Sequence, residues 1–225
     1  ELPQWIRVVV VPPGAPRTKP RACQHALSHA RGVHVVVYDA EDVPDPGQLR
    51  AAVAAFAHHG PATACLQASL VPDNRRENWL TAMFALDYCQ WFDGMLAGFQ
   101  RLGLPVPLGG SSNHFRTAAL RAAGGWDSWN VTEDADLGIR LWRLGHGVRT
   151  LARRDEEVSE RIAFCINDTV VVIVILADAQ EGNRYVGKGR RSVVEYGVVQ
   201  LRFDVQAVAV GRTDRRDRAV AATIG

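Results

Sequence analysis

Three nearly unbroken apolar runs alternate with two helical patterns, and this alternation limits the chain to an α/β architecture. The runs are "WIRVVVVP" (Trp5 to Pro12), "VHVVVYDA" (Val33 to Ala40) and "ATACLQASL" (Ala62 to Leu70). Consecutive apolar positions predict strands buried on both faces. Between the first two, "RACQHALSHARG" predicts a helix that stops at Gly32. Between the second and third, "DPGQLRAAVAAFAHHG" places Leu49, Val53 and Phe56 at i, i+4 and i+7 and stops at Gly60. The order β-α-β-α-β predicts a mostly parallel sheet with helices packed on it. With 225 residues, 47% of them hydrophobic, the chain can bury the core of one domain or slightly more.

Beyond the third strand, "ENWLTAMFALDYCQWFDGMLAGFQRLG" carries an apolar stripe: Trp79, Met83, Leu86 or Tyr88, Trp91 and Leu96. A core-facing helix is expected, with a helix lying at a membrane surface as the other option. "PLGGSSNHFR" reads as a short strand or turn, and "TAALRAAGG" as a short helix ended by a glycine pair. A further helix repeats Leu137, Leu141 and Leu144 and ends at Gly145. From about Ala163 the texture changes to Val-rich runs split by charged turns. The expected division is therefore 1–162 for the α/β domain and 163–225 for a β-rich or poorly ordered tail. That tail is either an unrelated appendage or the product of a shifted reading frame. Its longest apolar run, "TVVVIVILADA", is about half the length that crosses a bilayer, so no membrane span is expected within this chain. The opening "ELPQWIRVVVV" has neither an initiator Met nor a basic signal-peptide start, and is read as part of a longer polypeptide. Cys23, Cys65, Cys89 and Cys165 have no metal-site spacing, and are expected to be free thiols. A net charge of +2 gives no ground for a nucleic-acid partner.

Two acidic clusters carry the chemistry. Asp39, Glu41 and Asp42 follow the second strand. In open α/β sheets ligands bind beyond the carboxyl ends of strands, and an Asp-x-acid pattern can hold a hard divalent cation against phosphate oxygens. A solvated turn is the competing reading. The second cluster, Glu133, Asp134 and Asp136 in "NVTEDADLGIRLWRLG", opens a helix. Asn130 or Thr132 can cap it, and with Asn130 as cap Glu133 takes the capping-box position. Acids there complement the helix dipole, but a third adds repulsion, for which a general base beside an acceptor hydroxyl is a reason. In "LGGSSNHFR", small residues including Gly110 and Ser111 would let the backbone approach a sugar, while Asn113 and His114 offer hydrogen bonds. A tight strand-end turn with a structural histidine is the alternative.

Together, "RTKPRACQHAL", "YDAEDVPDPGQLRAA", "LQASLVPDN", "LGGSSNHFRTAALRAAGGWD" and "NVTEDADLGIRL" resemble the processive, membrane-anchored glycosyltransferases of family 2, the group of cellulose synthase-like β-glycan synthases. The resemblance covers about Pro3 to Ile162. It implies a Rossmann-like GT-A fold, incomplete at its N-terminus, that binds a nucleotide-diphosphate sugar, UDP-linked by expectation, with Mg²⁺ or Mn²⁺. It implies an inverting transfer to a growing β-linked glycan acceptor. Asp39 and Glu41 then correspond to the metal and diphosphate motif with Asp42 close by, and Lys19 borders the nucleotide. Asp134 corresponds to the general base, with Glu133 and Thr132 shaping the site.

Three departures accompany the resemblance. The family's first strand and uridine-binding acid do not occur, and the Gln-x-x-Arg-Trp motif expected after "DEEVSERI" does not arrive. The transmembrane helices are also absent. The resemblance thus places the parent protein in the cell membrane with this domain cytoplasmic, and leaves an inactive nucleotide-sugar-binding or regulatory fragment as the alternative function.

Overall fold

The computed structural model describes residues 6–39, 42–151, 169–177 and 196–204. Seven strands form one sheet in the order β1-β7-β6-β2-β4-β3-β5. They are β1 (Ile6–Val10), β2 (His34–Asp39), β3 (Thr63–Ala68), β4 (Asn113–Arg116), β5 (Gly147–Leu151), β6 (Thr169–Ala177) and β7 (Tyr196–Asp204). The helices are α1 (Lys19–His29), α2 (Gln48–His59), α3 (Trp79–Cys89), α4 (Leu96–Arg101), α5 (Thr117–Ala122) and α6 (Glu133–Arg143), with a π-helical turn, Gln90–Met95, joining α3 to α4. The first two helices expected from the sequence form as α1 and α2. Gly60 ends α2 at φ 77°, a conformation that favours glycine.

β2 and β3 are buried along nearly their whole length, as their continuous apolar runs require. The sheet is nevertheless mixed rather than mostly parallel. Only β2·β6 and β3·β5 run parallel, while β4 pairs antiparallel with both β2 and β3. The reason is local: Ser112 at the end of the glycine-rich turn bonds to Val37 and Ala68 at the carboxyl ends of β2 and β3, so β4 starts there and runs back along both. β1 also departs from expectation. Val9 is buried, but Val8 and Val10 are exposed, because β1 is an end strand of the sheet. β6 and β7 come from the tail segment, and both are integral to this sheet.

Alternation along the strands gives the sheet two packed faces. On one face Val35, Val37, Cys65 and Phe115 meet α1 and α6 through Ala26, Leu27, Leu137 and Leu141. On the other, Leu66 packs against Phe56 and Ala52 of α2. Cys23 and Cys65 are buried free thiols, and Cys89 is an exposed one; Cys165 lies outside the described residues.

The expected core-facing stripe of α3 is overturned. No residue of α3 is buried, and Trp79, Met83 and Leu86 are 77%, 55% and 64% exposed. Tyr88 and Trp91 are exposed as well. Contact with the core begins only at Phe92 and Leu96. The helix starts instead from a polar device, the capping box of Asn78 and Thr81, and α3 is apolar on every side. Among the described residues no helix is long and apolar enough to cross a membrane.

α6 is seated by its glycine. A Cβ on Gly138 would collide with the backbone carbonyl of Val106 and press on Leu108. Leu137 and Leu141 flank this contact fully buried, whereas Leu144 is exposed. Alanine is a better helix former than glycine by ~1 kcal/mol, but overpacking against a backbone atom costs ~1–3 kcal/mol. Gly138→Ala is therefore expected to lower the urea midpoint of unfolding. A raised midpoint would show that α6 does not sit this closely.

Candidate active site

The amino ends of α1 and α6 converge on the carboxyl end of β2, beside the glycine-rich turn that leads into β4. Lys19 is the first residue of α1, a position where the helix dipole disfavours a cation. It is held by a carboxylate: Lys19 Nζ lies 2.6 Å from Asp39 Oδ1 at the end of β2. The same ammonium donates to the carbonyl of Gly110. Burial pulls the Lys19 pKa down, but the hydrogen bond to Asp39 and the charges of Asp39 and Asp134 outweigh it and leave the group above its ordinary value.

Helix α6 begins at Glu133 with Thr132 as N-cap. Thr132 makes no side-chain cap bond. The Asn130 side chain accepts from the Thr132 N–H at 3.0 Å, closing a turn before the helix rather than capping it. This corrects the capping-box expectation, since a helix that starts at Glu133 puts that acid at the first position, not the third. The three acids then part company. Asp136 forms an ion pair with Arg140 at 2.6 Å, and Arg140 also donates to the carbonyls of Ala123 and Gly125. Glu133 is buried, and burial raises its pKa. Asp134 Oδ2 sits where a side chain on Gly110 would be only 3.4 Å away. Its pKa is raised from 3.8 to about 7, first by burial, then by the Glu133 and Asp39 charges, with Lys19 opposing. A helix amino terminus stabilises a carboxylate by ~0.3–1 kcal/mol, less than one pK unit, so burial and like charges win.

The Asp39 end of the site is tied to the glycine turn. Asp42 turns its Oδ2 to the Asp39 N–H at 2.8 Å and accepts from Ser111 Oγ. The Asp39 N–H also reaches Ser111 Oγ at 3.3 Å. Glu41 lies outside the described residues. Among the described residues no group of three His, Cys, Asp or Glu is arranged to hold a metal. The Asp39 charge acts on both Glu133 and Asp134, with Lys19 as the cation among them.

Asn113 and His114 are neighbours on β4 and so face opposite sides of the sheet. Asn113 Nδ2 donates to the Gly109 carbonyl at 2.6 Å, while its buried Oδ1 has no partner among the described residues. His114 lies away from the carboxylates, edge-on to Tyr38 and beside the Leu66 carbonyl, and burial lowers its pKa to about 4. Sequence reasoning missed two residues that shape the site. Gln67 is buried and bonded to the glycine turn, and Phe92 of the π-helical turn lies against Gly109. The "LQASL" and "CQWF" strings mark neither, because one reads as strand and the other as helix stripe.

A family model described as glycosyl transferase family group 2 matches residues 34–170, which include Asp39, the glycine turn and all three acids of α6. The chain belongs to this glycosyl transferase family. Its α/β sheet is accordingly a GT-A fold. The chain is 32% identical over 114 residues to the probable glucomannan 4-beta-mannosyltransferase 10 of Arabidopsis thaliana, covering 50% of this chain and 20% of that protein. It is 33% identical over 113 residues to glucomannan 4-beta-mannosyltransferase 2 of the same plant, covering 48% and 20%. It is 27% identical over 146 residues to the probable glycosyltransferase YdaM of Bacillus subtilis (strain 168), covering 63% and 34%. The chain thus spans between a fifth and about a third of the length of these relatives.

The perturbed Asp134 has a consequence for stability. A carboxyl whose folded pKa exceeds its unfolded value contributes stability that is full below the unfolded pKa and is lost as pH rises through the folded pKa. Asp134→Asn removes this dependence. Relative to wild type, the variant is expected to gain in melting temperature progressively as pH rises from about 4 to about 8. A difference independent of pH across that window would place Asp134 in a solvated setting.

Proposed function

We propose that this chain supplies the donor-binding and base-bearing part of an inverting glycosyltransferase. In this reading it moves a sugar from a nucleotide-diphosphate sugar, UDP-linked, to a growing β-linked glycan. The single observation that carries the reading is the placement of Asp134. It lies against Gly110 within the field of Lys19 and Asp39, while Asp136 is tied to Arg140. The 4-beta-mannosyltransferase activity for which the Arabidopsis relatives are named supports the β linkage.

In the proposed step the acceptor hydroxyl attacks the anomeric carbon from the face opposite the diphosphate. The new C–O bond forms as the bond to the diphosphate oxygen breaks, the hydroxyl proton passes to Asp134, and the configuration inverts. A base with a pKa of about 7 suits this task, because it is available at neutral pH and still holds a proton well. The Glu133 charge adds to burial in keeping the Asp134 pKa up, and Thr132, the N-cap of α6, is held in the turn before the helix by the Asn130 side chain. Lys19 at the head of α1 offers the diphosphate a cation at a helix amino end, the usual setting for phosphate. Gly110, which has no side chain, leaves room for the sugar beside Asp134 and Lys19, while the buried Ser111 and Asn113 hold the turn in place. Asp39, with Glu41 and Asp42 beside it in sequence, would hold Mg²⁺ or Mn²⁺, which when bound neutralises the departing diphosphate.

The parent protein is proposed to be membrane-embedded with this domain on the cytoplasmic side. The support is α3, which leaves Trp79, Met83, Phe84 and Leu86 exposed and bears no charge from Asn78 to Leu86.

The test uses the natural polypeptide that carries this chain. Asp134→Asn is expected to lower sugar transfer by on the order of 100-fold or more, the usual worth of a general base, with donor KM nearly unchanged. Asp136→Asn is expected to keep most of the activity. Retained transfer in Asp134→Asn, or equal losses in both variants, would defeat the assignment.

A further inference from the structure

We infer that Gln67 and Asn113 form a buried two-amide clamp that positions the glycine turn, and through it Lys19 and Asp42. This rests on the reading of the site given above. Gln67 and Asn113 are direct partners in the β3·β4 register and are 1% and 2% exposed. Together they grip one peptide unit on each side of Gly109. Gln67 Oε1 accepts from the Gly109 N–H at 2.8 Å, and Asn113 Nδ2 donates to the Gly109 carbonyl at 2.6 Å. Gln67 Nε2 then donates to the Ser111 carbonyl and to its own neighbour Ala68, each at 2.9 Å. Both ends of the Gly109–Ser111 segment are thereby fixed to the end of β3.

The segment needs such a hold. Ser112 follows it at φ 56°, a left-handed conformation that a side chain rarely adopts. Phe92 of the π-helical turn lies where a Cβ on Gly109 would point, so a larger residue crowds its ring. The groups presented by the clamped segment are the ones the site uses. The Gly110 carbonyl receives Lys19, and the Ser111 hydroxyl meets Asp42 and the Asp39 N–H. A buried amide that satisfies both an N–H and two carbonyls is costly to replace, because an apolar side chain leaves each of them unpaired. Gln67 touches no reacting atom; it acts through the turn and is a positioning residue.

Two readouts separate positioning from mere stability. Lys19 and Lys188 are the only lysines in the chain, so labelling of Lys19 by an amine-reactive ester can be followed on a single peptide. Gln67→Met removes the clamp's hydrogen bonds at similar volume, and Gln67→Glu in its ionised form keeps an acceptor for Gly109 but loses the donor to Ser111. In folded samples, both variants are expected to label at Lys19 several-fold faster than wild type. In the natural polypeptide, Gln67→Met is expected to lose kcat by on the order of 100-fold, as a misplacement of about 1 Å can cause, and to raise donor KM while leaving acceptor KM near wild type. Wild-type labelling rates together with wild-type kcat and donor KM would overturn the clamp, even if the melting temperature falls. Wild-type protein that transfers no sugar would defeat the proposed function, and the labelling rates would still decide the clamp.

Discussion

The contact between Lys19 and Asp39 fixes the rest of the site. Two charges from chain segments 20 residues apart meet where α1 begins and β2 ends, and the ammonium also takes the Gly110 carbonyl. Three elements are thereby joined at one nitrogen: a helix start, a strand end and the glycine turn. Lys19 is the cation that opposes the charges of Asp39, Glu133 and Asp134. Burial first, and then the Glu133 and Asp39 charges, push Asp134 up to about 7 against the opposing Lys19. The same arrangement explains why the site lies at the carboxyl end of the sheet. The helices on that face, α1 and α6, point their amino ends there, and both pack through small or apolar residues on Val35, Val37 and Phe115.

Asp134 and Asp136 show how packing divides equivalent residues. Both lie in the first turn of α6, two positions apart. Arg140, four residues on, claims Asp136 and at the same time satisfies the carbonyls of Ala123 and Gly125 at the end of α5. Asp134 is turned toward Gly110 instead. An acid at a helix amino end is ordinary. What is unusual is one that burial and neighbouring acids keep partly protonated near neutrality.

Much of this was legible in the sequence, for identifiable reasons. The buried strands β2 and β3 announce themselves because each sits in a nearly continuous apolar run, Gln67 being an exception within β3, and α2 because its apolar spacing is helical. Membership of the family could be read from ordered motifs, and Lys19, Asp39, Gly110, Ser111 and Asp134 do come together. Strand direction was not legible, because β4 is too short to carry a pattern and its antiparallel entry is set by the turn before it. The role of α3 was misread because an apolar stripe says that a surface wants covering and not which surface covers it. Gln67 and Gly138 escaped because their importance lies in what they touch across 42 and 32 residues, Gly109 and Val106 respectively. The β6 and β7 runs read as strands, but nothing in their composition names β2 and β1 as neighbours.

The central claim is that Asp134 is a buried carboxyl poised near neutrality beside Lys19. A carbon-13 NMR titration of the Asp134 side-chain carboxyl in the folded protein measures this directly. The expected midpoint is about 7, moving upward in Lys19→Met as the opposing cation is lost. A midpoint of about 4, the value of a solvated aspartate, unchanged by Lys19→Met, would contradict it.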